Sequence, residues 1–295
     1  MADARHHDVT TPDGRSLSVL EVGAPDAPVL VAHHGTPGAG RLYRSQIESA
    51  QRRGLRLIAY DRPGYGGSTP HPERGVADAA ADVAAILDAF GVERFAAYGW
   101  SGGGPHALAC AALLANRCAA AATIAGVGPA DAPDLDWLAG MGEGNRAEFA
   151  AAREGRERLT DYCRADADQI MAARPEQLAD ALRPHLSDVD AEALTGEVAA
   201  FLSESMTAGL QPGVEGWVDD DLAFLAPWDF AVERIQVPVL VWQGAHDLMV
   251  PADHSRWLHQ HVARAEGGIL PEEGHLTVLT DRIGDVHAWL QDRLV

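Results

Sequence analysis

One serine of the chain lies in a motif that is typical of covalent catalysis. Ser101 is the third residue of Gly99-Trp100-Ser101-Gly102-Gly103, which follows an apolar run and precedes an alanine-rich helical stretch. A serine on a sharp strand-to-helix turn needs small neighbours, because side chains there would collide across the turn. We therefore predict that Ser101 is a nucleophile. A glycine-rich turn that only packs a helix against a strand is the structural alternative.

Two later residues are placed to activate this serine, whose hydroxyl is a weak nucleophile until an oriented base takes its proton. Asp247 follows the apolar run Val237 to Gln243, and His275 follows the run Ala265 to Leu270. The order serine, acid, histidine, on loops after strands, predicts His275 as general base and Asp247 as its orienting carboxylate. A helix-start cap is the alternative role of Asp247. The competing candidates for the base, expected to be loop or helix-surface residues instead, are His246, His254, His259 and His261. Weaker candidates for the acid are Asp253 and Glu273.

Acyl transfer also passes through a tetrahedral intermediate whose negatively charged oxygen must be stabilised by hydrogen-bond donors. The amide of Gly102 is expected to be free at a helix start, and a second amide is expected from the loop His34-Gly35-Thr36-Pro37-Gly38. We favour Thr36 for this donor, with Gly35 second, while an ordinary turn is the alternative. Trp100 is expected to lie beside the site, either narrowing it or packing under neighbouring helices.

These residues require a scaffold of alternating strands and helices. Short β-branched runs predict strands at Ser16 to Val22, Val29 to His33, Leu55 to Tyr60, Phe95 to Gly99, Ala119 to Ile124, Val237 to Gln243 and Ala265 to Leu270. Helical spacing predicts helices at Leu42 to Arg53, Val76 to Phe90, Gly104 to Asn116, Ala252 to Val262 and Thr277 to Leu294. The fold class is therefore α/β, with a mostly parallel central sheet flanked by helices.

The alternation stops after residue 126 and resumes near residue 237. Residues 131–230 hold 7 arginines and 22 acidic residues, and they read as polar helices without a good strand. We therefore predict a core of residues 1–128 and 229–295, with a helical cap inserted at 129–228. Large apolar residues of the cap, Trp217 among them, either line a substrate pocket or anchor the cap. The others are Trp137, Phe149, Tyr162, Met206, Phe224 and Trp228.

Five motifs together resemble the α/β-hydrolase superfamily: HGTPG, DRPGYGGS, GWSGGG, GAHDLMVP and GH. The resemblance implies the triad and oxyanion roles given above, and a structural turn at residues 61–68. It covers the core but does not specify the activity, because the superfamily includes esterases, lactonases, C–C bond hydrolases, cofactor-free haloperoxidases and prolyl iminopeptidases. Serine at position 101 departs from the dehalogenase and epoxide hydrolase branches, which use aspartate, and GWSGGG departs from the GGSWG sequence usual in prolyl iminopeptidases.

Composition excludes several functions. A net charge of −20 makes nucleic acid and anionic membranes poor partners, and disfavours polyanionic substrates. No apolar run approaches the roughly 20 residues of a membrane span, and the N-terminal residues do not read as a secretory signal. Three cysteines suggest reduced thiols. We expect a cytoplasmic monomer or homodimer that acts on a small molecule without cofactor or metal.

The leading hypothesis is hydrolysis of a small neutral or cationic ester or lactone through an acyl group on Ser101. Alternatives on the same triad are C–C bond hydrolysis, a biosynthetic acyltransferase or cyclase, and an aminopeptidase. In the last, cap acids such as Glu204 or Asp219 to Asp221 would bind a substrate ammonium group. A ligand receptor without catalysis is the alternative from another class.

Overall fold

The computed structural model describes residues 4–183 and 186–294, which form an eight-stranded sheet covered by helices. The strands are β1 (Arg5–Thr10), β2 (Ser16–Val22), β3 (Val29–His33), β4 (Arg56–Tyr60), β5 (Phe95–Trp100), β6 (Cys118–Ile124), β7 (Val239–Gly244) and β8 (Ala265–Leu270). Their order is β1-β2-β4-β3-β5-β6-β7-β8. Only β2 pairs antiparallel, with β1 and β4, so the predicted mostly parallel sheet is confirmed.

Helices cover both faces of the sheet. Outside the segment between β6 and β7 they are α1 (Arg44–Arg53), α2 (Asp78–Ala89), α3 (Gly104–Leu113), α10 (Ala252–His261), α11 (Thr277–Thr280) and α12 (Ile283–Leu294). Along β3, Val29 and Val31 join a core with α2, α3 and α10, whereas Leu30 and Ala32 join a core with α1 and α12. The buried strand β3 therefore carries apolar residues on both faces, as expected for a sheet covered on both sides.

Two predictions about elements were incomplete. β1 was not predicted, because its sequence RHHDVT buries only Val9 and is held at the sheet edge by pairing with β2. The predicted closing helix is two helices, α11 and α12, and no proline or glycine at residues 281–282 marks the break.

Among the described residues, six α-helices lie between β6 and β7, within the predicted cap. They are α4 (Glu143–Glu154), α5 (Arg156–Ala172), α6 (Pro175–Leu182), α7 (Asp188–Ala193), α8 (Gly196–Leu210) and α9 (Glu215–Leu225). Phe149 and Trp217 belong to the same apolar cluster as residues of the sheet, so these helices pack on the core. The cap bounds 129–228 stay a prediction.

All strands from β3 to β8 run parallel, so their carboxyl ends lie at one edge of the sheet. The loops that follow β3, β5, β7 and β8 carry Gly35, Ser101, Asp247 and His275 respectively. Ligand sites of open α/β sheets form at this edge. Among the described helices, none is both long and apolar enough to span a bilayer.

Candidate active site

Ser101 lies on the turn between β5 and α3 with a backbone φ of 54°. Few residues other than glycine adopt this left-handed conformation, so the turn is strained. The glycines around it are required by space. A Cβ on Gly99 would lie 2.0 Å from the carbonyl oxygen of Gly103, and one on Gly103 would lie 2.3 Å from that of His33. The glycine pattern therefore serves the turn that exposes Ser101 to a cavity.

His275 and Asp247 form a buried pair at the edge of the same cavity. His275 Nδ1 lies 2.7 Å from Asp247 Oδ2, and the second carboxylate oxygen accepts the amides of Met249 and Val250, each at 2.8 Å. Because the Asp247 carboxylate can only accept a hydrogen bond, Nδ1 of a neutral His275 ring carries the proton. The lone pair of the ring is then on Nε2. His275 Nε2 is buried and has no hydrogen-bond partner among the described residues. It is therefore free to act on a group in the cavity, which both His275 and Ser101 line.

The competing candidates have other roles or lie elsewhere. Asp253 is paired with Arg256 on the surface, and Glu273 is paired with Arg282. The expectation that His254 is a loop or helix-surface residue is wrong. Its ring is buried, accepts the amide of Gly128 at Nδ1, and lies 3.0 Å at Nε2 from the carbonyl oxygen of Trp137.

Asp190, on α7, holds the backbone of the histidine loop and was missed from the sequence. Its Oδ2 accepts the amide of His275 at 2.7 Å, and its Oδ1 accepts those of Leu276 at 2.7 Å and Thr277 at 3.2 Å. A Cβ on Gly274 would lie 2.3 Å from Asp190 Oδ2, so only glycine fits there. No local motif predicts this contact, because Asp190 and His275 are 85 positions apart in the sequence.

The carboxylates of Asp247 and Asp190 also favour the protonated form of His275. Burial alone would lower the pKa of its imidazole, but the charges of Asp247 and Asp190, with the hydrogen bond that the ring donates to Asp247, raise this pKa above the usual value. The ring is thus prepared to hold the positive charge that a general base acquires.

Trp100 lies beside the site, as expected from the sequence. It lines the cavity, and its Nε1 donates to the carbonyl oxygen of His275 at 2.9 Å, with the two rings 5.1 Å apart. A Cβ on Gly35 would lie 3.0 Å from the Trp100 ring and 3.5 Å from Ser101 Cβ. Gly35 therefore lets the loop after β3 approach the serine closely.

The predicted oxyanion residues lie together. A Cβ on Gly102 would fall 2.3 Å from Thr36 Oγ1, so the two loops are in direct contact, and both residues line the cavity. The Thr36 hydroxyl donates to Asp220 Oδ2 at 2.6 Å. The Thr36 hydroxyl is therefore already bonded within the protein. The donor roles of Thr36 and Gly102 stay predictions.

A buried ion cluster beneath this loop was also missed. Asp220, on α9, pairs with Arg62 at 2.6 Å and Arg74 at 2.7 Å, and accepts the hydroxyl of Tyr65 at 2.9 Å. Burial would raise the pKa of Asp220, but the two guanidinium groups hold it well below its usual value. Arg62 also donates to the carbonyl oxygens of His34 and Gly35. The cluster thereby fixes the loop that carries Thr36.

The cavity has a volume of about 470 Å³. Of the cap residues expected to line a pocket or anchor the cap, Phe149, Tyr162, Met206, Trp217 and Phe224 line it. Trp137 and Trp228 are buried elsewhere. Apolar walls around a few polar groups are typical of small-molecule sites.

Most of the acids suggested to bind an ammonium group do not face this cavity, so that expectation is wrong for them. Glu204 is exposed, Asp219 is paired with Arg156, and Asp220 is neutralised by its arginines. Asp221 alone of these lines the cavity.

Comparison with known proteins places this site in a family. A family model described as "alpha/beta hydrolase fold" matches residues 28–281. The chain belongs to the α/β-hydrolase fold family. It is accordingly an enzyme of the hydrolase class, as the sequence resemblance implied.

Similar proteins include esterases. The chain is 29% identical over 269 residues to a bifunctional esterase/perhydrolase from Acinetobacter calcoaceticus, covering 84% of each chain. It is 26% identical over 259 residues to a pimeloyl-[acyl-carrier protein] methyl ester esterase from Nitrosomonas europaea, covering 86% of this chain and 91% of that one. An esterase structure from Thermogutta terrifontis superposes with a TM-score of 0.71 at 20% identity, over 99% of this chain and all of that one, which supports the fold.

Proposed function

We propose that this α/β hydrolase cleaves a small neutral or cationic ester or lactone through an acyl intermediate on Ser101. The observation that carries the proposal is the histidine geometry: His275 is tied to Asp247 at Nδ1 and has a free Nε2 in the cavity that Ser101 lines. The curated esterases similar to this chain also support ester cleavage.

In the first half of the proposed reaction, His275 Nε2 takes the proton of the Ser101 hydroxyl while the oxygen attacks the substrate carbonyl carbon. The carbonyl oxygen becomes an oxyanion, which the amides of Gly102 and Thr36 stabilise. Each such donor contributes about 3 kcal/mol in comparable sites. The tetrahedral adduct then expels the alkoxide, which takes the proton from His275.

In the second half, water replaces the alcohol. His275 removes a proton from this water as its oxygen attacks the acyl-Ser101 carbonyl, and then returns the proton to the serine oxygen. Asp247 remains ionised throughout and stabilises the transient imidazolium. The partly apolar cavity restricts water around these charges and so strengthens their interaction.

The substrate class follows from size and charge. A cavity of about 470 Å³ accepts a small molecule. Glu148, Asp166 and Asp221 line it, whereas none of its described lining residues is arginine, and the sequence has no lysine. Negative substrates are therefore disfavoured.

Ser101→Ala tests the proposal, with Ser203→Ala, a cap serine outside the cavity, as the matched control. The wild type and the control are expected to hydrolyse p-nitrophenyl acetate and to be labelled by a fluorophosphonate probe. Ser101→Ala is expected to lose labelling and to lose at least about 10³-fold in kcat/KM. Full esterase activity in Ser101→Ala would show that the nucleophile is elsewhere.

A substrate panel separates ester cleavage from the other reactions. Hydrolysis of p-nitrophenyl acetate and of a γ-lactone, followed by proton release, is expected to exceed hydrolysis of proline p-nitroanilide. The reverse preference would favour the aminopeptidase alternative.

A further inference from the structure

A pair of carboxyl groups lies in the same cavity as Ser101 and takes no part in the reaction described above. Glu148 on α4 and Asp221 on α9 both line the cavity, and their carboxyl groups are close enough for each to shift the pKa of the other. Trp217 Nε1 donates to Glu148 Oε1 at 2.5 Å, which fixes the glutamate side chain. Glu148 and Asp221 are called the acid pair below.

The acid pair lacks the donors that two carboxylates need. Asp221 is 1% exposed, and its Oδ2 has no hydrogen-bond donor among the described residues. Burial raises the pKa of both groups, and the charge of Glu148 raises that of Asp221 further. Two facing carboxyl groups are satisfied by a shared proton or by a cation that brings its own N–H donors. Because the pKa of both groups is raised, we expect the pair to share a proton until such a cation enters.

The described neighbours of the acid pair supply no positive charge that is not already bonded to another carboxylate. The titratable groups around it are Asp166, Tyr162 and Cys163 on α5, and Asp220 on α9. Asp220 is already bonded to Arg62 and Arg74. A buried carboxylate is costly without a cationic partner. In the described part of the cavity wall no arginine provides one.

We propose that the acid pair is a binding subsite for a positively charged nitrogen group of the substrate, an ammonium or a guanidinium. The N–H donors of this group displace the shared proton to solvent and satisfy both carboxylates. The rings of Phe149, Tyr162 and Trp217 line the same cavity and offer faces that attract a cation. This inference deepens the proposed function and rests on it, because the same cavity holds the ester.

Binding of hexylammonium and 1-hexanol, which match in length, tests the subsite without turnover. Calorimetry is expected to show hexylammonium binding to the wild-type protein about tenfold more tightly than 1-hexanol. Its affinity is expected to rise with pH, and its heat of binding to depend on the ionisation enthalpy of the buffer, because a proton is released. Equal affinities for the two probes in the wild type would overturn the proposal.

The variants Glu148→Gln and Asp221→Asn localise the effect, and both keep the shape of the protonated acid. Each is expected to remove the preference for hexylammonium. Glu157→Gln, which removes an exposed charge on α5, is expected to keep it. A preference that survives in both acid-pair variants would show that the cation binds elsewhere.

Turnover separates the subsite from the proposed reaction. The p-nitrophenyl ester of 6-aminohexanoate is expected to have a kcat/KM about tenfold above that of the heptanoate ester, mainly through KM, and Asp221→Asn is expected to remove the difference. If hexylammonium binds but neither ester is cleaved, the reaction proposal fails and the subsite stands. If Ser101 cleaves the heptanoate ester but hexylammonium does not bind, the subsite proposal fails and the reaction stands.

Discussion

Asp190 links the cap helix α7 to the catalytic histidine loop, and Asp190→Asn tests what that link does. In the variant, the side-chain oxygen can still accept the amides of Leu276 and Thr277 at the position of Oδ1. The new amide group replaces Oδ2 and faces the N–H of His275, so a donor meets a donor. The variant therefore loses the bond to His275 and the negative charge while nearly keeping the side-chain shape.

The expected loss of stability follows from that one bond. A hydrogen bond to a charged group contributes about 1.5–3 kcal/mol, and an unpaired buried amide has a similar cost. For a chain of this size, 1 kcal/mol corresponds to roughly 2–4 °C in Tm. We therefore expect Tm to fall by roughly 3–12 °C.

Two kinetic effects distinguish positioning from stability alone. A small displacement of His275 from Ser101 is expected to lower kcat by roughly 10–100-fold with little change in KM. Loss of the Asp190 charge is expected to lower the pKa of His275, because that charge raises it in the wild type. The acid limb of the pH profile of kcat/KM, where the base becomes protonated, should therefore move to lower pH.

The assay is hydrolysis of p-nitrophenyl acetate from pH 5 to 9 at a temperature below both melting transitions. Asp188→Asn removes an exposed charge from the same helix and serves as control; it should match the wild type in kcat and in the acid limb. An Asp190→Asn enzyme with lower Tm but unchanged kcat and acid limb would refute the positioning role.

Three further predictions concern the oxyanion loop and the buried histidines. Gly102→Ala places a methyl group 2.3 Å from Thr36 Oγ1, so kcat for p-nitrophenyl acetate should fall by roughly 10²–10³-fold with unchanged circular dichroism; near-normal kcat would contradict the contact. Thr36→Val keeps the backbone amide but removes the bond to Asp220, so urea unfolding should show a loss of about 1–2 kcal/mol, and no loss would contradict the role of that bond. Burial lowers the pKa of His106 and His254 to about 4. Between pH 7 and 5 these two histidines therefore become protonated in the unfolded chain but stay neutral in the folded chain. The free energy of urea unfolding should therefore fall, as the pH drops, by up to about 1.4 kcal/mol per pH unit for each of these two histidines, and an unchanged free energy of unfolding would contradict their burial.

The sheet and the proposed triad were predictable because their signals are local. Strands buried on both faces are short apolar runs, and such runs identified seven of the eight strands. The turn at Ser101 needs glycines at 99 and 103 because backbone atoms approach within 2.3 Å of where their Cβ atoms would be. Chain order then selected Asp247 and His275 from many acids and 13 histidines.

The edge strand β1 could not be predicted from such signals. Its side chains are mostly exposed, so its sequence carries no apolar alternation, and its conformation is imposed by hydrogen bonds to β2. His254 shows the same limit for burial. Its sequence position on α10 suggests a surface residue, but its ring is held by the backbone of residues 128 and 137, which only the folded chain brings near.

The groups that support the site largely escape sequence reasoning for a related reason, and Asp220 and Asp221 were named only among several cap acids suggested to bind an ammonium group. Asp190, Asp220 and the acid pair all lie on helices of the predicted cap, where acidic residues are so frequent that none is distinguished by its type. What distinguishes them is the cost of burying a carboxylate, which each offsets differently. Asp190 accepts three amides and Asp220 binds two guanidinium groups, whereas Oδ2 of Asp221 in the acid pair has no described hydrogen-bond donor. Only the acid pair would gain a better partner from outside the protein, and for this reason it is the one expected to bind substrate.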